Sequence, residues 1–584
     1  MTRSRGGMAR VRVLSLLLLL ALAPLGVRAA AEGNPTTVPT AATDAYQAEL
    51  AGVARPLLER RWFEYRTAAF TLYSDLDAKA ALASVRDIER FAHVVRETVG
   101  LAQRASVIPV EFWLCTDASA VARLAGDSTL LGFMRPSPRA SYLVATASAL
   151  DDPDGSPMLH EYVHLLVRSA ARATGSADDG RHDDGRHDDG MVLDLPRWYD
   201  EGLAEFLATL RVRDGEVRIG VPNRRRLAQL RMRDARLMGI GQVLGTSAVE
   251  ALPGPRVAEF YALSWALVHW SYARSWAQGW PRDGQGPGAR NLAIDDYLRR
   301  VSRGEPVRAA ARAAFGVDVQ GLQRRLLEHV DRVRPVPLVK LPAAHFARLD
   351  AAAPVTPRAL DGYEAAWRLG YVALGGGRSG AQAGAGDEAM ARALFTHALR
   401  LRPGDLRAQM GLAVADQFEQ RFAEGVARAR AVHAAAPDDT LLAQELADML
   451  HEWCDSDTPP PHCPRLHAEA IALYERILRV APDRIETHAA LGGALLDARG
   501  DAARARGHLH RAHAAMPFSA HLVLQLGRAE LRLGNHAAAE RLLRRAARWS
   551  ETRGMARRVQ RALAELGCVE PPSRSSRPLP GDAC

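Results

Sequence analysis

The chain has 584 residues and a formal net charge of +9, and 48% of its residues are hydrophobic and 24% charged. This length predicts more than one domain, and the composition is typical of a globular protein. The basic balance does not indicate a nucleic-acid partner. Only Lys79 and Lys340 are lysines, and the arginines are scattered among alanines along the whole chain instead of clustering as a binding surface would.

The amino-terminal segment has the pattern of a secretory signal. Four early arginines precede the apolar run VLSLLLLLALAPLGV (13–27), and small residues follow it. The run is short for a membrane helix, which needs about 17–25 residues, so an uncleaved anchor is the alternative interpretation. We predict a signal peptide at 1–31 and a leader or linker at 32–60. The protein is then exported, to the periplasm or the extracellular medium, with no membrane span after signal removal.

Hydrophobic patterning predicts a domain of strands and helices over residues 61–335. A long helix is expected near 77–99, and an acidic, glycine-rich run at 175–190 cannot bury a core and is expected to be a mobile surface loop. Further helices are predicted over 195–210 and 259–276. The predicted strands are FTLYS (70–74), VIPVEFWLC (107–115) and ASYLVA (140–145).

The stretch MLHEYVHLLV (158–167) carries two histidines four residues apart. In a helix, His160 and His164 would project from one face, about 6 Å apart along the axis. Both imidazoles would then reach one zinc ion at about 2.0–2.1 Å. Glu161 would be rotated about 100° away, where a general base for a zinc-bound water belongs. The alternative is an ordinary amphipathic helix with two satisfied histidines.

A second stretch, WYDEGLAEF (198–206), offers a third ligand. Two histidines leave a catalytic zinc one protein ligand short, and a carboxylate from another helix is a usual third, which points to Glu201. Glu205 lies one turn further and is expected to hydrogen-bond a ligand histidine. Asp200 competes for the ligand role but is expected to face elsewhere on the helix. A solvated acidic helix face is the alternative.

HEYVH followed by WYDEGLAEF resembles the gluzincin metallopeptidases, and in particular the bacterial peptidase MA-like domains. The resemblance implies an α+β zincin-like metallopeptidase fold. It implies one Zn²⁺ per chain, held by His160, His164 and Glu201, with Glu161 as the base. It also implies that ASYLVA is the edge strand beside the active helix, where a peptide could add as a further strand.

The same resemblance extends to a later helix, YALSWALVHW (261–270). In related enzymes a tyrosine on this helix stabilises the oxyanion, which implies Tyr261 as a catalytic residue here. Tyr199, Tyr272 and His269 are rival candidates for that role. A core aromatic residue is the alternative interpretation of Tyr261.

The last third of the chain is periodic. Prolines that end helices recur at 403, 437, 482 and 517, and the one long interval contains the insertion HEWCDSDTPPPHC (451–463). The underlying helix-turn-helix period of 34 residues resembles tetratricopeptide repeats, in which each repeat buries its apolar face on the next. We therefore predict a linker at 336–357, an all-α solenoid of four to five repeats at 358–567, and a disordered tail at 568–584.

The five cysteines are few and odd in number. Cys115 is expected to be a buried thiol, because it ends an apolar strand. An oxidising compartment would permit two local disulfides, Cys454–Cys463 and Cys568–Cys584.

Together these patterns predict an exported zinc metallopeptidase-like protein that hydrolyses a peptide or protein substrate through a zinc-bound water, with repeats that bind a protein partner. One alternative is a non-enzymatic cell-envelope scaffold with a structural or vestigial zinc site. Glu161 argues against it, because a purely structural site needs no base. A second alternative is a zinc hydrolase that acts on a non-peptide amide.

Overall fold

A computed structural model describes residues 54–99, 108–137, 139–150, 152, 154–170, 195–213, 216–232, 237–247, 249, 252–277, 292–350, 355–374, 387–456, 458–550 and 553–567. The predicted signal peptide, most of the leader, the loop at 175–190, the tail and the Cys568–Cys584 pair lie outside these residues.

The described strands form two sheets. In chain order they are β1 (Phe63–Arg66), β2 (Thr71–Ser74), β3 (Val110–Cys115), β4 (Gly132–Pro136), β5 (Ser141–Thr146), β6 (Arg211–Arg213), β7 (Glu216–Ile219), β8 (Val339–Leu341) and β9 (Arg358–Ala359). The larger sheet has the order β4-β5-β3-β2-β1-β9 and the smaller one β6-β7-β8. In the larger sheet β2, β3 and β5 are parallel, and β4, β1 and β9 pair antiparallel with their neighbours.

The described helices of the first region include those that the sequence predicts. They are α1 (Ala78–Val99), α2 (Ala118–Ala125), α3 (Ala147–Leu150), α4 (Pro157–Ala170), α5 (Arg197–Leu207), α6 (Arg224–Arg231), α7 (Ile240–Gly245), α8 (Gly254–Ala277), α9 (Leu292–Ser302), α10 (Val307–Phe315), α11 (Val319–Arg332) and α12 (Ala347–Asp350). The helices predicted at 77–99, 195–210 and 259–276 correspond to α1, α5 and α8.

The predicted edge strand is wrong. ASYLVA forms β5, which lies inside the sheet between β3 and β4. The edge strand is β4, whose Phe133 pairs antiparallel with Val144. Helix α4 contacts both strands. The sequence prediction missed β4 because GFMRP is short and contains a proline, which is tolerated at a sheet edge.

The two faces of the larger sheet bury different partners, because side chains alternate along a strand. Phe112 and Leu114 of β3 belong to the core shared with α1, α4 and α8. Trp113 and Cys115 point the other way, into a core shared with α2 and with the helices that follow residue 360. Cys115 is a free, buried thiol, as predicted.

The predicted linker at 336–357 is largely built into the first region. Strand β8 pairs with β7, and it is followed by a 3-10 helix, Ala343–Phe346, whose Phe346 is buried. Strand β9, from the segment assigned to the repeats, extends the larger sheet by pairing with β1. The two regions therefore share a sheet.

The carboxyl-terminal region is all-helical. Its helices are α13 (Gly362–Ala373), α14 (Glu388–Leu401), α15 (Leu406–Phe418), α16 (Phe422–Ala435), α17 (Thr440–Cys454), α18 (Cys463–Val480), α19 (Ile485–Asp497), α20 (Ala502–Ala515), α21 (Ala520–Arg532), α22 (His536–Arg548) and α23 (Arg553–Glu565). Consecutive helices pack as five pairs, from α13–α14 to α21–α22, with α23 against the last pair. This is a tetratricopeptide-like array and agrees with the predicted four to five repeats.

Small residues set the spacing within the pairs. A Cβ atom on Gly492 would come within 2.5 Å of Leu509, and one on Gly527 within 2.7 Å of Leu543. These glycines are 35 residues apart in the sequence and occupy equivalent places in two successive pairs. Close helix packing at a fixed position is thus the physical origin of the repeat.

Cys454 and Cys463, at the end of α17 and the start of α18, form a disulfide with a Cα–Cα distance of 5.5 Å. It closes the insertion that lengthens one repeat. Within the described residues, no helix combines the length and apolar character that a bilayer span requires.

Candidate metal centre

Helix α4 is held in place at its start and along its buried face. The Leu159 amide donates to the Ser156 hydroxyl at 3.3 Å, which caps the helix, and the Ser156 amide donates to the Ala208 carbonyl at 3.2 Å just after α5. Further along, Tyr162 packs against the aromatic rings of Phe91 and Phe112. These contacts fix the direction in which His160 and His164 project.

Helix α5 approaches α8 at Gly202, the residue that follows Glu201. A Cβ atom on Gly202 would lie 2.5 Å from the Ser264 carbonyl oxygen, closer than any side chain allows. Only glycine therefore lets the two helices come this close. The contact fixes Glu201, on α5, relative to Tyr261, one turn before Ser264 on α8.

The structure brings His160, His164 and Glu201 together. The Nε2 atoms of the two histidines are 3.2 Å apart, and Oε2 of Glu201 is 3.2 Å from Nε2 of His160 and 3.5 Å from Nε2 of His164. These three atoms form a nearly equilateral triangle. His164 and Glu201 are buried, and His160 is largely so.

The triangle has the size that a tetrahedral zinc ion requires. Ligands at about 2.0–2.1 Å from one ion are about 3.3–3.4 Å from each other in a tetrahedron. The observed separations of 3.2, 3.2 and 3.5 Å bracket this value. Two imidazole nitrogens and one carboxylate oxygen are also a donor set that zinc accepts. The residues present therefore fit the predicted ion.

Asp200 contacts His164 from outside the triangle. His164 donates from Nδ1 to the Asp200 carboxylate at 2.8 Å, and Arg168 and Arg197 lie 3.3 and 3.5 Å from the other oxygen of the same carboxylate. The hydrogen bond fixes the tautomer of His164 and leaves Nε2 turned towards the triangle. Asp200 thus supports the site without entering the triangle.

Glu205 is close to His160, but not within hydrogen-bonding distance. Its Oε1 is 3.8 Å from Nδ1 of His160, longer than a hydrogen bond allows. The Glu205 carboxylate instead accepts from Asn223 at 3.0 Å and from Arg226 at 3.0 and 2.7 Å. It faces the imidazole as a fixed negative charge.

Two further polar residues, Glu161 and Tyr261, lie near the triangle. Among the described residues, neither has a hydrogen-bond partner, and both are half-buried. The Tyr261 ring lies 6.5 Å from the ring of His160, and the Arg226 guanidinium stacks on it at 5.2 Å. Burial and then the charge of Glu201 raise the pKa of Tyr261 above its ordinary value, so the phenol keeps its proton.

The three rivals of Tyr261 are core residues. His269 is fully buried, donates from Nε2 to the Gly220 carbonyl at 3.2 Å and lies 2.8 Å from His329. Tyr199 and Tyr272 are buried and hydrogen-bonded to each other. None of them has a group free to face the triangle.

The carboxylates of Asp200 and Glu201 favour a positive charge on the group that lies between them, His164. Burial alone would raise the pKa of Glu201, but His164 and Arg197 outweigh it and hold this pKa well below its ordinary value. Burial would lower the pKa of His164, but Asp200 and Glu201 outweigh it and raise that pKa to about 10. Arg197 reaches Oε1 of Glu201 at 2.9 Å and leaves Oε2 for the triangle.

Comparison of the chain with protein-family models finds no match. Comparison with curated proteins also finds none.

Several solved structures are similar to part of the chain. PilF of Pseudomonas aeruginosa has a TM-score of 0.28 and 16% identity, over 35% of this chain and 85% of that one. A thermophilic TPR protein of Thermus thermophilus has a TM-score of 0.27 and 18% identity, over 35% and 99%. MamA from Desulfovibrio magneticus has a TM-score of 0.24 and 15% identity, over 28% and 86%. These low scores leave the function to be argued from the geometry.

Proposed function

We propose that the protein is an exported zinc metallopeptidase of the gluzincin type, in which the first region cleaves a peptide or protein substrate and the helical repeats bind protein or peptide. The observation that carries the proposal is the triangle formed by His160, His164 and Glu201, with separations of 3.2–3.5 Å. These residues would hold one Zn²⁺. When bound, zinc supplies Lewis acidity and brings the pKa of a water molecule near neutrality.

Glu161 is the proton carrier in this proposal. Its carboxylate accepts the proton of the water that adds to the amide carbonyl, and it returns the proton to the leaving nitrogen as the C–N bond breaks. The atoms balance, because the acid product gains the hydroxyl and the amine product gains the hydrogen. The absence of any other hydrogen-bond partner among the described residues keeps Glu161 available for this transfer.

Tyr261 is the proposed donor to the carbonyl oxygen, which becomes negative as water adds. A phenol that keeps its proton donates a hydrogen bond to this oxygen and stabilises the transition state. Arg226 orients the ring by stacking on it at 5.2 Å, and Glu205 in turn holds Arg226. Glu205 is therefore a positioning residue for Tyr261, acting through Arg226.

The decisive experiment compares the wild-type chain with Glu161→Gln, which keeps the side-chain shape and removes the base. Zinc per chain is measured by elemental analysis, and cleavage is profiled on a diverse peptide library. We expect one zinc at this site in both proteins. The cleavage rate of the variant should be about 10²–10⁴-fold lower than that of the wild type. Equal zinc with no cleavage by either would instead favour the scaffold function.

The proposed binding face of the repeats is formed by α15, α17, α19 and α21, the first helices of successive pairs, which contact one another. Polar contacts run along it: Gln417 donates to Glu452 at 2.5 Å, His451 lies 2.9 Å from Asp497, and Arg528 donates to Asp497 at 2.8 Å. A charged, rigid face of this kind suits an extended polypeptide.

The binding role can be measured separately from catalysis. We expect Arg528→Glu to raise KM for long or folded substrates by about tenfold and to leave kcat/KM for short peptides unchanged, since one charged interfacial contact is worth about 1–3 kcal/mol. Equal KM values for long substrates in both proteins would show that this face of the repeats does not bind substrate.

A further inference from the structure

A second cluster of histidine and glutamate side chains lies outside the site just described. His93 and Glu97 are four residues apart on α1 and therefore project from one face of that helix. His345 comes from the 3-10 helix Ala343–Phe346, which follows β8 and precedes the repeats. The first two residues are far from the third in the sequence, but all three meet at one point on the surface of the first region.

Their donor atoms converge on the carboxylate of Glu97. Nε2 of His93 is 3.1 Å from Oε1 of Glu97, and Nε2 of His345 is 2.8 Å from Oε2. All three residues offer ligand atoms within 4.8 Å of one another. Two imidazole nitrogens and a carboxylate oxygen are the donor set that zinc uses in open, three-ligand sites.

The surroundings hold His345 in this position. Phe346, next in sequence, is 1% exposed, and its ring packs against His93 at 5.9 Å and His345 at 5.0 Å. The Arg90 guanidinium lies over the same phenylalanine ring at 5.7 Å. A buried anchor directly beside a ligand limits the movement of its backbone, which lowers the entropic cost of binding an ion.

The cluster is accessible enough to load and to keep a water ligand. The side chains of His93, Glu97 and His345 are 34, 24 and 21% exposed. The Glu97 carboxylate, whose pKa lies below its ordinary value, brings a negative charge to the cluster, which attracts a divalent cation.

We propose that His93, Glu97 and His345 form a second zinc-type cation site, which clamps α1 to the segment that connects the first region to the repeats. This site is separate from the proposed catalytic centre and does not depend on its activity. Its role is to tether: the ion joins two segments distant in sequence, so binding stabilises the folded chain.

Zinc stoichiometry of the full chain tests the proposal, using Zn²⁺ alone as the probe after dialysis against a weak chelator. We expect two ions per chain in the wild type, one in His160→Ala, one in His345→Ala and none in the double variant. Glu97→Gln keeps the shape of the cluster and should also retain one ion, which covers the event that His345→Ala folds poorly.

Thermal unfolding gives the second measurement. Zinc should raise the Tm of His160→Ala by several degrees and leave the Tm of the double variant His160→Ala/His345→Ala unchanged.

The number of bound ions distinguishes failure of the two sites. If His160→Ala binds no ion, the second site is overturned while the catalytic site can still stand. If His345→Ala binds none and His160→Ala binds one, the catalytic site fails and the second site stands. Equal zinc in the wild type and His345→Ala also overturns the second site.

Discussion

The imidazole of His164 donates a hydrogen bond from Nδ1 to the carboxylate of Asp200 across 2.8 Å, and its Nε2 faces His160 at 3.2 Å. One ring thus joins the supporting carboxylate to the proposed ligand triangle. The arrangement leaves a single nitrogen for an ion and fixes its direction, because a ring held at one nitrogen cannot turn without breaking that bond.

Loss of this support should weaken metal binding. We expect Asp200→Asn to lower zinc affinity by about 10–100-fold, because the amide no longer favours the required tautomer of His164. Competition titration with a chromophoric chelator measures the change. Asp296→Asn is the matched control, since Asp296 pairs with Arg300 within α9 and should leave the affinity unchanged. Equal affinities for the two variants would show that Asp200 is not a supporting residue.

The proposed oxyanion donor should affect turnover and not zinc binding. Tyr261→Phe is expected to lower kcat by about 10²–10³-fold with little change in KM, because the hydrogen bond forms only in the transition state. Steady-state kinetics on the best library peptide provides the measurement. Tyr272→Phe, in the core, should retain the wild-type kcat. A kcat for Tyr261→Phe within about twofold of the wild-type value would show that Tyr261 is not the oxyanion donor.

Gly202 should resist substitution although it lies within a helix. A Cβ atom there would meet the Ser264 carbonyl at 2.5 Å, so Gly202→Ala should reduce the free energy of unfolding by about 1–3 kcal/mol. Gly507, inside α20, has open space at its Cβ position, and Gly507→Ala should instead add up to about 1 kcal/mol through helix propensity. Denaturant unfolding monitored by circular dichroism distinguishes the two signs, and a stabilised Gly202→Ala would contradict the close approach of α5 and α8.

The junction between the two regions contains a buried ion pair. Arg139 donates to both oxygens of Glu445, at 2.5 and 2.7 Å, and the side chains are only 10 and 8% exposed. Glu445→Gln leaves the guanidinium charge buried and should cost about 3–5 kcal/mol.

The exposed pair Arg430–Glu469 has the same two-bond geometry, at 2.9 and 2.6 Å, and provides the control. Glu469→Gln should cost less than about 1 kcal/mol, because solvent screens the pair. Differential scanning calorimetry compares the variants, and similar losses for both would mean that burial does not determine the strength of the junction pair.

Local spacing accounts for what was predictable in the site. His160 with His164, and Glu201 with Glu205, are four residues apart, so their positions on a helix follow from the 3.6-residue turn. The proline and glycine periods likewise predicted the helix pairs, because each repeat packs only on its neighbours. Both inferences needed no knowledge of distant contacts.

Other features depended on contacts between distant segments. Pairing between strands places β5 inside the sheet and β4 at its edge. Strand β9, which follows the first region in the sequence, pairs with β1 near its start. The hydrogen bond between Asp200 on α5 and His164 on α4 depends on how these two helices pack, which the sequence does not show. The cluster of His93, Glu97 and His345 has no sequence signature, since its third member comes from a different segment.

The sequence by itself determined the helix that carries His160, Glu161 and His164, the acidic helix after it, and the repeat period, because each depends on interactions within a few residues. Only the tertiary structure decided the 3.2–3.5 Å triangle, the partner of His164 and the joining of the repeats to the sheet. The physical reason is that such distances are set by which buried faces pack together, and packing is a property of the whole chain.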